Sequence, residues 1–146
     1  MNALVAAHSG LRYIVLALMI IAIVNALMNL KSDSYVKKDR LINLFAMISL
    51  HIQLVLGLIL YFISPKVQFV EGMMGEANLR FFAVEHILMM LLSILFITLG
   101  RKRAEKSPDP SRRHKLILRY YGLGFILIFI AIPWPFIYDK IGAGYF

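Results

Sequence analysis

Residues 41–63 read LINLFAMISLHIQLVLGLILYFI, an unbroken apolar run whose polar exceptions are Asn43, Ser49, His51, Gln53 and Tyr61. The run matches the ~20 residues a helix needs to cross a hydrocarbon core, and it lacks the period-2 alternation of a strand. Similar runs lie on either side. With this one they predict helices at about residues 4–30, 41–63, 80–100 and 116–137, joined by short polar segments. In lipid only helices and closed barrels satisfy their own backbone groups. The expected fold is therefore all-α: a four-transmembrane-helix up-down bundle forming a single integral membrane domain over residues 1–146.

Composition agrees with that reading. Hydrophobic residues make up 60% of the 146-residue chain and charged residues 16%, with no cysteine. An ordinary soluble domain is ~45–50% apolar. The missing thiols exclude disulfide frameworks, thiolate metal sites, iron–sulfur clusters and cysteine nucleophiles. The first run lacks a basic leader and carries His8 and Arg12, so it is read as a retained helix, not a signal peptide.

The formal net charge of +8 would suit nucleic acid, but the placement of the charges says otherwise. Lys31, Lys37, Lys38 and Arg40 fill the first connection. Arg101, Lys102, Arg103, Lys106, Arg112, Arg113 and Lys115 fill the third. The second holds Lys66 and Arg80 beside Glu71 and Glu76. Basic loops stay on the cytoplasmic side, which sends both termini to the outer, periplasmic side of a bacterial inner membrane. The lipid bilayer, with its anionic headgroups, is the expected partner of the basic loops, and no nucleic acid is expected. Ser107-Pro108-Asp109-Pro110-Ser111 breaks the chain between the last two helices.

Ionisable residues inside a spanning helix mark functional sites. At a rise of ~1.5 Å per residue, His51 stands ~15 Å, His86 ~21 Å, Arg12 ~27 Å and His8 ~33 Å above the cytoplasmic boundary. His51 and His86 are near enough in height to supply both axial ligands of one haem, with His8 as the alternative ligand. Each histidine could equally serve as an interhelical hydrogen-bond partner. His114 falls in the basic connection and is read as a solvated interfacial residue. Arg12 and Arg80 suit haem propionates, or simple interfacial anchoring. Glu85 could pair with an arginine, orient a histidine or carry a proton from a quinol. Ser49, Gln53, Gly57 and Tyr61 form a small, polar stripe, suited to close helix packing, with Gln53 as a quinone contact in the sharper reading. Met90 is read as packing. Trp134 fits an interfacial belt or a pocket wall.

No hydrolase relay, phosphate loop, dinucleotide fingerprint or His-Glu-x-x-His zinc motif is present. The leading expectation is one haem b exchanging electrons between the quinone pool and an outward-side redox partner. If it is enzymatic at all, it is as a quinol-linked redox component. The alternatives are a cofactor-free accessory or assembly subunit of a larger membrane complex, and a metal-handling protein using His8, Glu85 and His86.

The stretches His8-Ser-Gly-Leu-Arg12-Tyr, His51-Ile-Gln53, Arg80-Phe-Phe-Ala-Val-Glu85-His86 and Ile132-Pro-Trp134-Pro, one per helix, together resemble the small four-helix membrane proteins catalogued as cytochrome b-like. The resemblance covers nearly the whole chain. It implies b-type haem held by membrane histidines, with His8, His51 and His86 as candidate ligands. It also implies Arg12, Arg80, Glu85 and Trp134 as pocket residues.

Overall fold

The computed structural model describes residues 2–134. Four helices among them are long and apolar enough to cross a membrane: α1 (Asn2–Met28), α2 (Lys37–Ile63), α3 (Ala77–Lys106) and α4 (Pro110–Ala131). Together they form a helix bundle in which α1 packs on α2 and α4, and α3 packs on α4 and α2. No strand occurs among the described residues.

Large apolar side chains line the bundle's exterior. Phe62 is 81% exposed and Met28 79%, with Ile14, Ile20, Phe45, Leu95 and Ile126 also exposed. An apolar surface this extensive is tolerable where the solvent is lipid. The interior is small by comparison: Val15, Met19, Ala22, Ala46, Leu50, Ile97, Ile117 and Tyr121 form a sealed layer across the middle. The α3–α4 seam is the tightest. Ser93 Oγ donates to the Gly124 carbonyl at 2.9 Å, and Gly100 lies against Tyr120. Small residues let helix backbones approach closely in lipid, where apolar burial gives no net drive.

Capping sets the helix starts. Asp39 accepts the Val36 amide at 2.8 Å, and its other oxygen accepts the Asn25 amide group at 2.8 Å. One carboxylate thus starts α2 and ties it to the end of α1. Asp109 accepts the Ser111 amide at 3.0 Å, with Pro110 following in the first turn of α4. Proline suits that position because its missing N–H has no helical partner there.

Two sequence expectations need correction. The basic segment 101–115 is expected as a connection, but α3 runs on to Lys106 and α4 begins at Pro110, leaving a turn at 107–109. Charge density does not break a helix, and these helix ends carry the polar residues beyond the apolar span. His114 is consequently helical and 1% exposed, not solvated. The connection after α1 folds over it: His114 Nε2 donates to the Ser34 carbonyl at 3.2 Å, and the Tyr35 ring sits 5.0 Å away, edge-on. At its other end α4 stops at Ala131. The expected extension over residues 135–137 lies outside the described residues.

α3 carries a feature with no sequence signal. Its backbone widens to a π-helical turn at Phe81–Glu85, and the His86 amide bonds back to the Phe81 carbonyl. Such turns rotate the downstream part of a helix and concentrate at functional sites. Here the first downstream residue is His86.

Candidate cofactor site

A cavity of about 460 Å³ opens between the helices at the end that carries His8, Tyr61 and Pro133. Its wall is mainly apolar, from Val15, Leu50, Leu54, Ile94 and Ile128. A few polar groups enter it: His8, Ser9 and Arg12 from α1, Gln53 and Tyr61 from α2, His86 from α3, and Lys66 from the connection after α2. An apolar pocket with few converging polar groups is the usual form of a small-molecule site.

His8 and His86 face each other there, with ring centroids 6.4 Å apart and planes inclined at 72°. The sequence heights separate them by ~12 Å along straight helices. The observed helix ends remove that separation: α1 stops at Met28 and α3 runs on to Lys106, so each histidine lies twenty residues, about 30 Å, from its helix end at the opposite end of the bundle.

Each ring is set differently. His86 Nδ1 donates to the Ala131 carbonyl at 2.8 Å. In a continuing helix that carbonyl would accept the amide of residue 135, which is proline and has no N–H. Pro133 frees the Phe129 carbonyl in the same way, and Trp134 Nε1 fills it at 2.9 Å. The end of α4 therefore leaves two carbonyls without helical donors, and a histidine and a tryptophan occupy them. Since a carbonyl only accepts, Nδ1 of His86 carries the proton and Nε2 keeps its lone pair. The His8 ring packs over Gly57, where an added Cβ would lie 3.1 Å from Cε1 of His8. Gln53 Nε2 donates to the His8 carbonyl at 2.8 Å, holding the α1 backbone at that point. Nδ1 of His8 and Oε1 of Gln53 are buried and have no partner among the described residues.

Arg12 is 9% exposed and donates through Nη2 to the Tyr13 hydroxyl at 2.9 Å. It lies one turn beyond His8 on the same face and presents a cation to the cavity. Lys66 adds a second cation, 5.2 Å from the centre of the Phe82 ring.

The structure does not bring the remaining candidates to this cavity. His51 is half-buried, and its Nδ1 donates to the Met47 carbonyl of its own helix at 2.8 Å. Arg80 Nε pairs with Glu85 at 2.6 Å, and Nη1 donates to the Met74 carbonyl at 2.8 Å. Trp134 packs on Phe129 with ring centroids 5.2 Å apart. Of the small, polar stripe on α2, Gln53, Gly57 and Tyr61 reach the cavity, while Ser49 bonds the Ala46 carbonyl at 2.9 Å. In the sequence Lys66 stands out only as part of the charge balance. Its place in the site depends on the turn at Ser64, which no spacing rule announces.

Among the described residues no group of three or more His, Cys, Asp or Glu could hold a metal ion. A haem needs only two protein ligands, because the macrocycle supplies the other four. Two imidazole nitrogens each ~2.0–2.1 Å from one shared ion place their ring centroids roughly 6.3–6.5 Å apart when collinear. The His8–His86 spacing falls in that range. Two imidazoles lining one apolar cavity are the donor set such a group requires. Comparison with protein-family models, curated proteins and solved structures finds no match for this chain.

Proposed function

We propose that this chain is a haem b-binding membrane electron-transfer protein that exchanges electrons with the quinone pool. The observation that carries the reading is the 6.4 Å His8–His86 spacing at the edge of an apolar cavity. In this reading His86 and His8 would hold the haem iron, and His51, the partner expected from helix heights, is a packing residue. Arg12 and Lys66 hold carboxylates at the cavity rim, since cations suit propionate groups. Bound haem would supply one-electron redox chemistry. The apolar wall excludes water, and Gln53, which lines the cavity, is the quinol contact in this reading.

The same proposal includes the topology. The helices run up and down, the basic ends of α3 and α4 face the cytoplasm, and the cavity opens toward the outer side of a bacterial inner membrane. The charge asymmetry between the connections supports this orientation. An outward-side redox partner would then have access to the cavity rim.

A reduced-minus-oxidised absorbance spectrum of detergent-purified protein, with a pyridine haemochrome assay, tests the reading. A b-type α-band at one haem per chain is expected. A flat spectrum from folded, haem-supplemented protein overturns it in favour of a cofactor-free accessory subunit.

A further inference from the structure

The two imidazoles are held unequally. His86 has its ring tied to the Ala131 carbonyl, stands 5.9 Å from the Phe81 ring, and follows a π-helical turn that fixes its direction. His8 has its backbone held by Gln53, but Nδ1 of its ring has no partner among the described residues. Beneath the ring lies Gly57, which offers no side chain to confine it, and beside it lies the cavity. Turning the His8 side chain away breaks no hydrogen bond at Nδ1. Turning His86 away strands a carbonyl at the end of α4. Partners of this kind orient a metal-bound histidine and raise its basicity, and losing one typically costs 10–100-fold in affinity.

We propose that His86 is the fixed ligand and His8 the exchangeable one, and that the cavity admits a small neutral donor molecule in place of the His8 ring. This rests on the proposed haem ligation. The exchange replaces one dative bond with another and moves no electron or proton. The donor class is set by the whole lining. Apolar side chains such as Leu50, Leu54 and Ile128 disfavour an ion that must shed its hydration. Arg12 and Lys66, the cations of that lining, are taken up by the haem carboxylates in this reading, so a neutral donor enters at least cost.

The test compares His8→Gly with His86→Gly, both expressed with haem supply and purified in detergent. Haem per chain, the absorption spectrum with and without added imidazole, and helix content by circular dichroism are measured. His8→Gly is expected to retain at least tenfold more haem than His86→Gly, and imidazole is expected to restore its spectrum to the wild-type form. Equal haem loss in two folded variants, or haem retained with a spectrum that imidazole leaves unmoved, overturns the proposal. If His86→Gly does not fold, the imidazole response of His8→Gly decides alone. A wild-type protein without haem absorption overturns the ligation reading itself, and does so before either variant is made.

Discussion

The Tyr61 hydroxyl on α2 donates to the Ala83 carbonyl on α3 at 2.8 Å, inside the π-helical turn that precedes His86. Ala83 lies inside that turn and is only 3% exposed, so its carbonyl is kept from water. Tyr61 therefore satisfies the turn from a neighbouring helix. Tyr61→Phe removes the donor and little volume. A loss of about 1 kcal/mol is expected, the usual scale for an interhelical hydrogen bond in a membrane protein. Thermal unfolding in detergent measures it. If the turn orients His86 for ligation, haem affinity falls as well, in a variant whose ligands are both intact.

Gly57 is where α2 makes room for the His8 ring. A methyl group there would meet Cε1 at 3.1 Å and Nδ1 at 3.7 Å. Gly57→Ala is expected to push the ring into the cavity and lower haem retention several-fold, with helix content unchanged. Gly10→Ala, on the same helix as His8 but with nothing within 4 Å, is the control and is expected to match wild type. Equal haem content in the two variants would show that the His8 ring has other room to move.

The fold is legible in the sequence because four apolar runs leave lipid-spanning helices little competition. The membrane residues Asn43, Gln53 and His86 are visible as polar interruptions, but their partners are not. Heights counted from the apolar ends pair His51 with His86; α3 continues through its charged residues to Lys106, which raises His86 to the level of His8 instead. His51 is indistinguishable from a ligand in sequence, since its bond to the Met47 carbonyl depends only on its rotamer. The polar cluster at the opposite end is hidden for a different reason. Asn25, Tyr35, Asp39, Asn43, His114 and Tyr121 are scattered along the chain and meet only after the connection following α1 folds back over α4. Tyr121 donates to the Asn43 carbonyl at 2.7 Å across 78 residues of sequence.

The α3–α4 seam offers a stability test independent of any cofactor. A Cβ on Gly124 would lie 2.7 Å from Ile97 Cγ1 and 3.3 Å from the Ser93 carbonyl. Ile97 is fully buried, and Ser93 is committed to the Gly124 carbonyl, so neither yields easily. Gly124→Ala is expected to destabilise the protein by about 1–3 kcal/mol, as overpacking a filled interior does. Gly122→Ala, with nothing within 4 Å, is expected to leave the unfolding midpoint unchanged or slightly raised. Paired thermal melts separate the two, and similar melts would mean that the seam relaxes more freely than its contacts imply.

Alkaline pH probes the connection that covers α4. Tyr35 lies in that connection, and burial raises its phenol above the ordinary value of 10.0; Glu105 and Asp39 push the same way, against the hydrogen bond from Asn43 and the charge of Arg101. The phenol thus holds its proton more tightly in the folded protein than in the unfolded one. Its contribution to stability is complete below about pH 10 and is lost as pH rises through the folded value, because the unfolded chain ionises first. Tyr35→Phe removes that dependence. It also strips Asn43, 1% exposed, of the oxygen that accepts its amide group at 2.8 Å. The baseline cost is about 1–3 kcal/mol, the penalty for stranding a buried donor. Melting temperatures from pH 8 to pH 11.5 should therefore start lower in the variant and converge on wild type above about pH 10. A constant gap between the curves would mean that the connection opens before Tyr35 titrates.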